Sequence, residues 1–271
     1  MLDRASLPEI AALCGRGIRD REPLSVDELD GALFAPDQPA IVRGDPAVGV
    51  VATVSDDDGA FIRLLVVDPA VRGRGHGHAL IRAAHADARA CGNASITVGA
   101  DAPYFLWPGV PSTELAMLCL LERHHYARVE TNFDMTIDLG ALPVDPGGHA
   151  LATAADRGEI DVFASSHWPN WKAELLRAVD KGNLVIARDD EGIAAVCAFE
   201  VNRRGGLGPV ASRPDLIGRG AGRAPLLGAL HELRARGRSS IEVVWVGPIV
   251  PYARAGGKVS SVYFVYRKVL Q

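Results

Sequence analysis

The chain has 271 residues, 48% of them hydrophobic and 23% charged, enough for one large domain or two ordinary ones with a full core. No run approaches the roughly 20 apolar residues that span a bilayer, and the charged, proline-bearing start from Met1 to Glu9 lacks a secretory signal's apolar run, so a cytoplasmic protein is expected. A formal net charge of −4 attracts no polyanion, so neither nucleic acid nor a membrane is an expected partner.

Two helix-like stretches open the chain, followed by a strand pair, Ala40–Val42 with Val48–Ser55. The apolar run Phe61–Val67 then ends at the turn Asp68-Pro69, and glycines lead into a helix from Gly77 to about Ala90. Ala94–Val98 reads as the next strand, and a crossover of this length makes the two strands parallel neighbours. A helix over Thr113–His124 and a strand over Arg128–Leu139 close this half.

The turn formers Leu142-Pro143-Val144-Asp145-Pro146-Gly147-Gly148 mark a linker. The second half repeats the order: strands at Asn183–Arg188 and Ile193–Val201, a strand Leu207–Ala211, a turn at Arg213-Pro214, a helix from Ala221 to about Arg236 and a strand Ser240–Trp245. A short helix Pro251–Ala255 and a strand Val259–Val269 finish it. The predicted division is one domain over 1–141, a linker over 142–149 and a second domain over 150–271.

The repeat is sharpest in Gly73-Arg74-Gly75-His76-Gly77 and Gly218-Arg219-Gly220-Ala221-Gly222: Gly75 and Gly220 lie 145 residues apart, as do Gly77 and Gly222. A glycine turn opening a helix offers backbone N–H groups and the positive end of the helix dipole, which suits a pyrophosphate. His78 and Arg223 stand where a dinucleotide loop needs its third glycine, and neither loop contains G-K-[ST]. Redox and phosphoryl-transfer functions lose their main support.

Both loops instead resemble the acyl-CoA loop of GCN5-related N-acetyltransferases, [QR]-x-x-G-x-[GA] after a strand ending in V-x-P. Arg72, Gly75 and Gly77 match in the first copy, and Ile217 departs from the pattern in the second. The resemblance covers nearly the whole chain and implies a tandem, mycothiol-synthase-like protein of two α/β domains that uses acetyl-CoA or another acyl-CoA. It assigns cofactor binding to Val66, Val67, Arg72, Gly73, Arg74, Gly75, His76, Gly77 and His78, and in the second half to Val210, Gly218, Arg219, Gly220, Ala221, Gly222 and Arg223.

The family's late tyrosine, in a pattern like Y-x-x-x-G, protonates the departing thiolate as general acid. Tyr252-Ala253-Arg254-Ala255-Gly256 carries that pattern, whereas the equivalent register of the first half places Leu121 there. Glu200, on the apolar strand Ile193–Val201, is the candidate base with Glu242 behind it, and deprotonation through water is the alternative.

Trp107, within Tyr104-Phe105-Leu106-Trp107, and Trp168 and Trp171 offer aromatic walls for an acceptor pocket, or a hydrophobic seam. The implied activity is acetyl transfer to a primary amine of a small molecule by direct attack. A non-catalytic acyl-CoA sensor and a protein lysine or N-terminal acetyltransferase are the alternatives. No metal is expected, and a monomer is the expected state. Cys14, Cys91, Cys119 and Cys197 show no C-x-x-C pairing and read as buried reduced thiols.

Overall fold

The computed structural model describes residues 1–18, 22–56, 59–104 and 106–270. Among them lie eight α-helices and twelve strands, in two compact units. In the first unit α1 (Leu7–Gly17) and α2 (Val26–Leu33) precede the antiparallel strands β1 (Ile41–Asp45), β2 (Gly49–Asp56) and β3 (Gly59–Val67), and then α3 (His76–Ala90), β4 (Ser95–Val98), the two-residue β5 (Val110–Pro111) and α4 (Leu115–Arg123). Helix α2 starts where it does because Ser25 and Glu28 form a reciprocal capping box, each side chain accepting the other's backbone N–H.

After the long strand β6 (Ala127–Asp138) and the short β7 (Ala150–Leu151), the second unit repeats the plan. Helices α5 (Arg157–His167) and α6 (Lys172–Asp180) come first, then β8 (Leu184–Asp189), β9 (Gly192–Phe199) and β10 (Gly206–Ser212), and then α7 (Arg223–Ala235), β11 (Ser240–Val243), α8 (Ile249–Arg254) and β12 (Lys258–Val269). The expected parallel neighbours are present in both units, β3 with β4 and β10 with β11.

The compact units do not follow the sequence halves. One is Met1–Asn132 with Val262–Gln271, and the other is Phe133–Ser261. The last part of β6 pairs with β11, Met135 opposite Val243, while the last part of β12 pairs with β4, Tyr266 opposite Val98. Each half therefore closes with the other half's final strand. Two equivalent strands of 12 residues, each with an alternating apolar face, can satisfy either sheet edge, and their length lets each belong to both units.

Each sheet is covered on both faces. In the first unit Ala60, Ile62 and Val67 pack under α3, while Leu64 and Val66 pack under α1 and α2. The change of phase has a local cause: Ile62 lies opposite Thr53 and Leu64 opposite Ala52, so Arg63 is an extra residue, a β-bulge. The second unit has the same irregularity 145 residues later, with Leu207 opposite Phe199 and Val210 opposite Cys197, which makes Gly208-Pro209 the bulged step.

Cys14 and Cys197 are buried, but Cys91 and Cys119 are exposed, which corrects the expectation for those two thiols. Both sit on the outer surface of helical segments, Cys91 at the end of α3 and Cys119 in α4. Among the described residues no helix is long and apolar enough to cross a membrane.

Candidate active site

The bulge opens each sheet. Strands β3 and β4 pair only over Ala60–Ile62 against Ile96–Val98, and β10 and β11 only over Gly206–Leu207 against Glu242–Val243. Beyond those pairs the partner strand leaves through a left-handed residue that is not glycine, Ala100 at φ 56° and Trp245 at φ 53°, again 145 residues apart. Such conformations cost of order 1–3 kcal/mol and persist where the surroundings enforce them.

The opening leaves one edge of β3 and β10 without a strand. Asp68 donates its N–H to Val48 and Arg213 to Ala194, which sets the antiparallel alternation. Leu65 and Val67, and likewise Val210 and Ser212, therefore turn their N–H and C=O groups away from β2 and β9. Val66 is spent on β2, and Leu65, which the motif did not single out, holds the outward position instead.

The outward carbonyls confirm the alternation, and two different side chains serve them. Arg72 donates from Nε to the Val67 carbonyl at 3.1 Å and from Nη2 to the Gly17 carbonyl at 2.9 Å, tying the loop to the end of α1. In the second unit Ile217 has no donor, and the indole of Trp168 bonds the equivalent Ser212 carbonyl at 2.9 Å. Trp168 stacks on Trp171 with centroids 4.8 Å apart and planes 13° apart, both half-buried beside the end of β10. Trp107 packs against the α1 and α2 core of the first unit, and Phe105 lies outside the described residues.

The two loops share one backbone. Gly73 and Gly75 have φ of 79° and 91°, Gly218 and Gly220 have 79° and 88°, and a Cβ added at any of the four would meet nothing within 4 Å. The glycines are required by conformation, and the face they leave open is one an anion can approach. In α3 the Ala79 N–H is bonded to the Gly75 carbonyl, which leaves the N–H groups of His76, Gly77 and His78 as the first-turn donors. Arg74, Arg219 and Arg223 are exposed around the same faces, with Ala221 and Gly222 at the entry of α7.

Tyr252 and Leu121 occupy the same place. In each unit the helix ends with the residue five positions on donating back to that carbonyl, Tyr126 to Leu121 at 3.1 Å and Gly257 to Tyr252 at 2.8 Å, around a left-handed His125 or Gly256. Tyr252 is buried against Cys197 and Phe199 in the core. Burial first, and Cys197 second, push its phenol above the ordinary range, so it stays protonated at neutral pH. Among the described residues no protein group hydrogen-bonds its hydroxyl.

The carboxylates chosen as bases are engaged elsewhere. Strand β9 ends at Phe199, and Glu200 follows at φ 48°, accepting the Gly205 N–H at 2.9 Å and pairing with Arg238 at 2.7 Å. Glu242 pairs with Arg203. Glu200 is thus a turn residue rather than a strand residue, and the structure does not bring it to Tyr252 as a free base.

The bulge positions differ. Arg63 is buried, with Nε 2.5 Å from Asp101, Nη1 donating to the Ala32 carbonyl at 2.8 Å, and the Gln38 side chain on its other amino group. Burial pushes the Asp101 carboxyl up, and the Arg63 guanidinium pulls it back. At the equivalent Gly208 there is no side chain, and a Cβ there would meet only the Val244 carbonyl, at 4.0 Å.

A sequence model of the acetyltransferase (GNAT) family matches residues 7–103, which takes in α1 through the strand after the first loop. The match gives that stretch the character of a GNAT acetyltransferase domain. A domain of that family is of the acyl-CoA-dependent N-acyltransferase class. Similarity in solved structures extends over the whole chain. The GCN5-related glucosamine N-acetyltransferase region of a fungal multi-domain GH3 β-N-acetylglucosaminidase superposes with TM-score 0.78 at 22% identity over 99% of this chain, which spans 37% of that protein's length. A GCN5-related N-acetyltransferase from Sphaerobacter thermophilus gives 0.72 at 20% identity, covering 100% of this chain and 94% of its own. A tandem GNAT protein from the clavulanic acid biosynthesis pathway gives 0.73 at 16%, covering 99% and 96%. These identities speak for the fold. No curated protein sequence matches the chain.

Proposed function

We propose that this protein is a tandem GNAT enzyme that moves an acetyl group from acetyl-CoA to a primary amine of a small molecule, and that the second unit carries the chemistry. The observation that carries the reading is Tyr252, whose protonated hydroxyl lies in the last turn of α8 where the first unit has Leu121. Acetyl-CoA supplies the activated acyl group as a thioester.

The residues present suit it. The glycine loop takes a pyrophosphate on backbone N–H groups, and the outward N–H groups of Val210 and Ser212 are donors for the extended arm and for charge growing on the thioester oxygen. The neutral amine forms the new C–N bond as the C–S bond breaks, and Tyr252 gives its phenolic proton to the departing sulfur. Glu200 and Glu242 are held by arginines, so the amine's own proton leaves through water.

Gly208 leaves the α5 and α6 side of the bulge open for an acceptor, with Trp168 and Trp171 as a wall. The fungal neighbour is described as a glucosamine N-acetyltransferase region, so an amino sugar is the first acceptor to try. In the first unit the Arg63–Asp101 pair fills the corresponding place, which favours acyl-CoA held there without turnover.

Thiol release from acetyl-CoA is to be followed with a panel of amines led by glucosamine. Tyr252→Phe is expected to lower kcat about 100-fold or more while acetyl-CoA still binds in calorimetry. An unchanged kcat removes the second unit's tyrosine from the mechanism, and absence of acetyl-CoA binding in the unaltered protein removes the whole reading.

A further inference from the structure

The first loop's helix carries a group of imidazoles that the family motif does not contain. His78, in the first turn of α3, has Nδ1 2.9 Å from Nε2 of His124, the residue that caps α4. At that distance one ring donates to the other, so the two facing nitrogens hold one hydrogen between them. His85, two α3 turns further along, stands edge-on to His124 and bonds the Tyr126 hydroxyl at 2.9 Å.

The surroundings are cationic. From β12, Lys268 places its ammonium 2.6 Å from the His124 carbonyl, Arg82 of α3 and His125 of the α4 end act on the His124 ring, and Arg89 acts on His85. Burial first, then His78, Lys268, Arg82 and His125, hold His124 below the ordinary histidine range, and burial, then Lys268, His124 and Arg89, push His85 down to about 4. His85 is therefore neutral, and the pair is the group that an arriving anion can charge.

The second unit offers an internal control: the position 145 residues after His78 is Arg223, a permanent cation. Resting on the acyl-CoA reading of these loops, we infer that the first loop binds its phosphate ligand with uptake of one proton by the His78–His124 pair, so that His124 is a ligand-site residue and the two loops differ in pH dependence.

The test uses the full chain with Gly222→Glu, which obstructs the second loop, titrated with coenzyme A by calorimetry in buffers of different ionisation enthalpy. Affinity is expected to rise towards about tenfold per pH unit, with close to one proton taken up, as pH falls from about 8 to about 6. His78→Arg in the same background is expected to remove that proton uptake while keeping coenzyme A bound, and His124→Gln to reduce it.

Equal proton uptake with His78 and with Arg at position 78 overturns the inference. So does binding by the unaltered protein that Gly222→Glu abolishes, because the first loop then takes no coenzyme A. Absence of binding in the unaltered protein at every pH fails the acyl-CoA reading itself.

Discussion

Arg63 and Gly208 stand at the same step of the two units, one residue past the last parallel hydrogen-bonded pair, and the chemistry there diverges. The first unit fills the step with a buried cation, its counter-ion Asp101 and Gln38, and places Leu121 at the late helix. The second leaves the step empty and places Tyr252 there. One backbone plan thus yields a closed acceptor side and an open one through two side-chain choices, while the glycine loop, which needs only conformation, is kept in both.

The largest expected effect comes from breaking the ion pair on one side. Asp101→Ala leaves the Arg63 guanidinium buried without its counter-ion and should cost about 3–5 kcal/mol in urea unfolding. The double change Arg63→Gly with Asp101→Val installs the residues found at Gly208 and Val246 and should cost much less. If the single change is as mild as the double, the pair is not what closes the first unit.

Glu174, on α6, sharpens the comparison from the other side, because it is a buried carboxyl that accepts a hydrogen bond from a neutral amide, Asn202, at 2.8 Å. Burial pushes its value up to about 8, against the opposing pull of Arg177 and the Asn202 bond. A folded-state value above the unfolded one means that stability is fully present below about 4.5 and declines as pH rises towards 8. Glu174→Gln should therefore be more stable than the unaltered protein by on the order of 2–3 kcal/mol at pH 8, with the gain vanishing near pH 4.5. A pH-independent difference in thermal or urea unfolding would show that Glu174 is already ionised in the fold.

The smallest effect concerns the outward carbonyl at the loop. Trp168→Phe removes the indole bond to Ser212 and should cost about 1 kcal/mol of stability. Ile217→Arg added to it should recover most of that loss, since Arg72 performs the same task in the first unit. No recovery in urea unfolding would mean that the two loops are tied to their strands by different geometry.

Much of this was legible in the sequence, because glycine spacing and helix-end patterns are local. The 145-residue offset located both loops, and the Leu121–Tyr252 correspondence followed from counting within the helix. Long-range side-chain contacts were not legible. Arg63 lies within the strand Phe61–Val67 with nothing local to mark the bulge or its buried ion pair, and Glu200 reads as part of a strand that in fact stops one residue earlier. That Trp168 replaces an arginine, and that His124 meets His78, depends on helices distant in sequence arriving at one spot. The strand exchange left no trace, since β6 and β12 carry interchangeable patterns.

That exchange has a consequence for synthesis. Residues 262–269 complete the first unit's sheet beside β4, so a ribosome makes all of residues 133–261 before the earlier-made unit can acquire its closing strand. Until then the β4 edge carries unpaired backbone groups of the kind that recruits foreign strands. Cutting the gene at the linker gives two fragments, each holding the other's strand, which predicts that they fold well only when produced together.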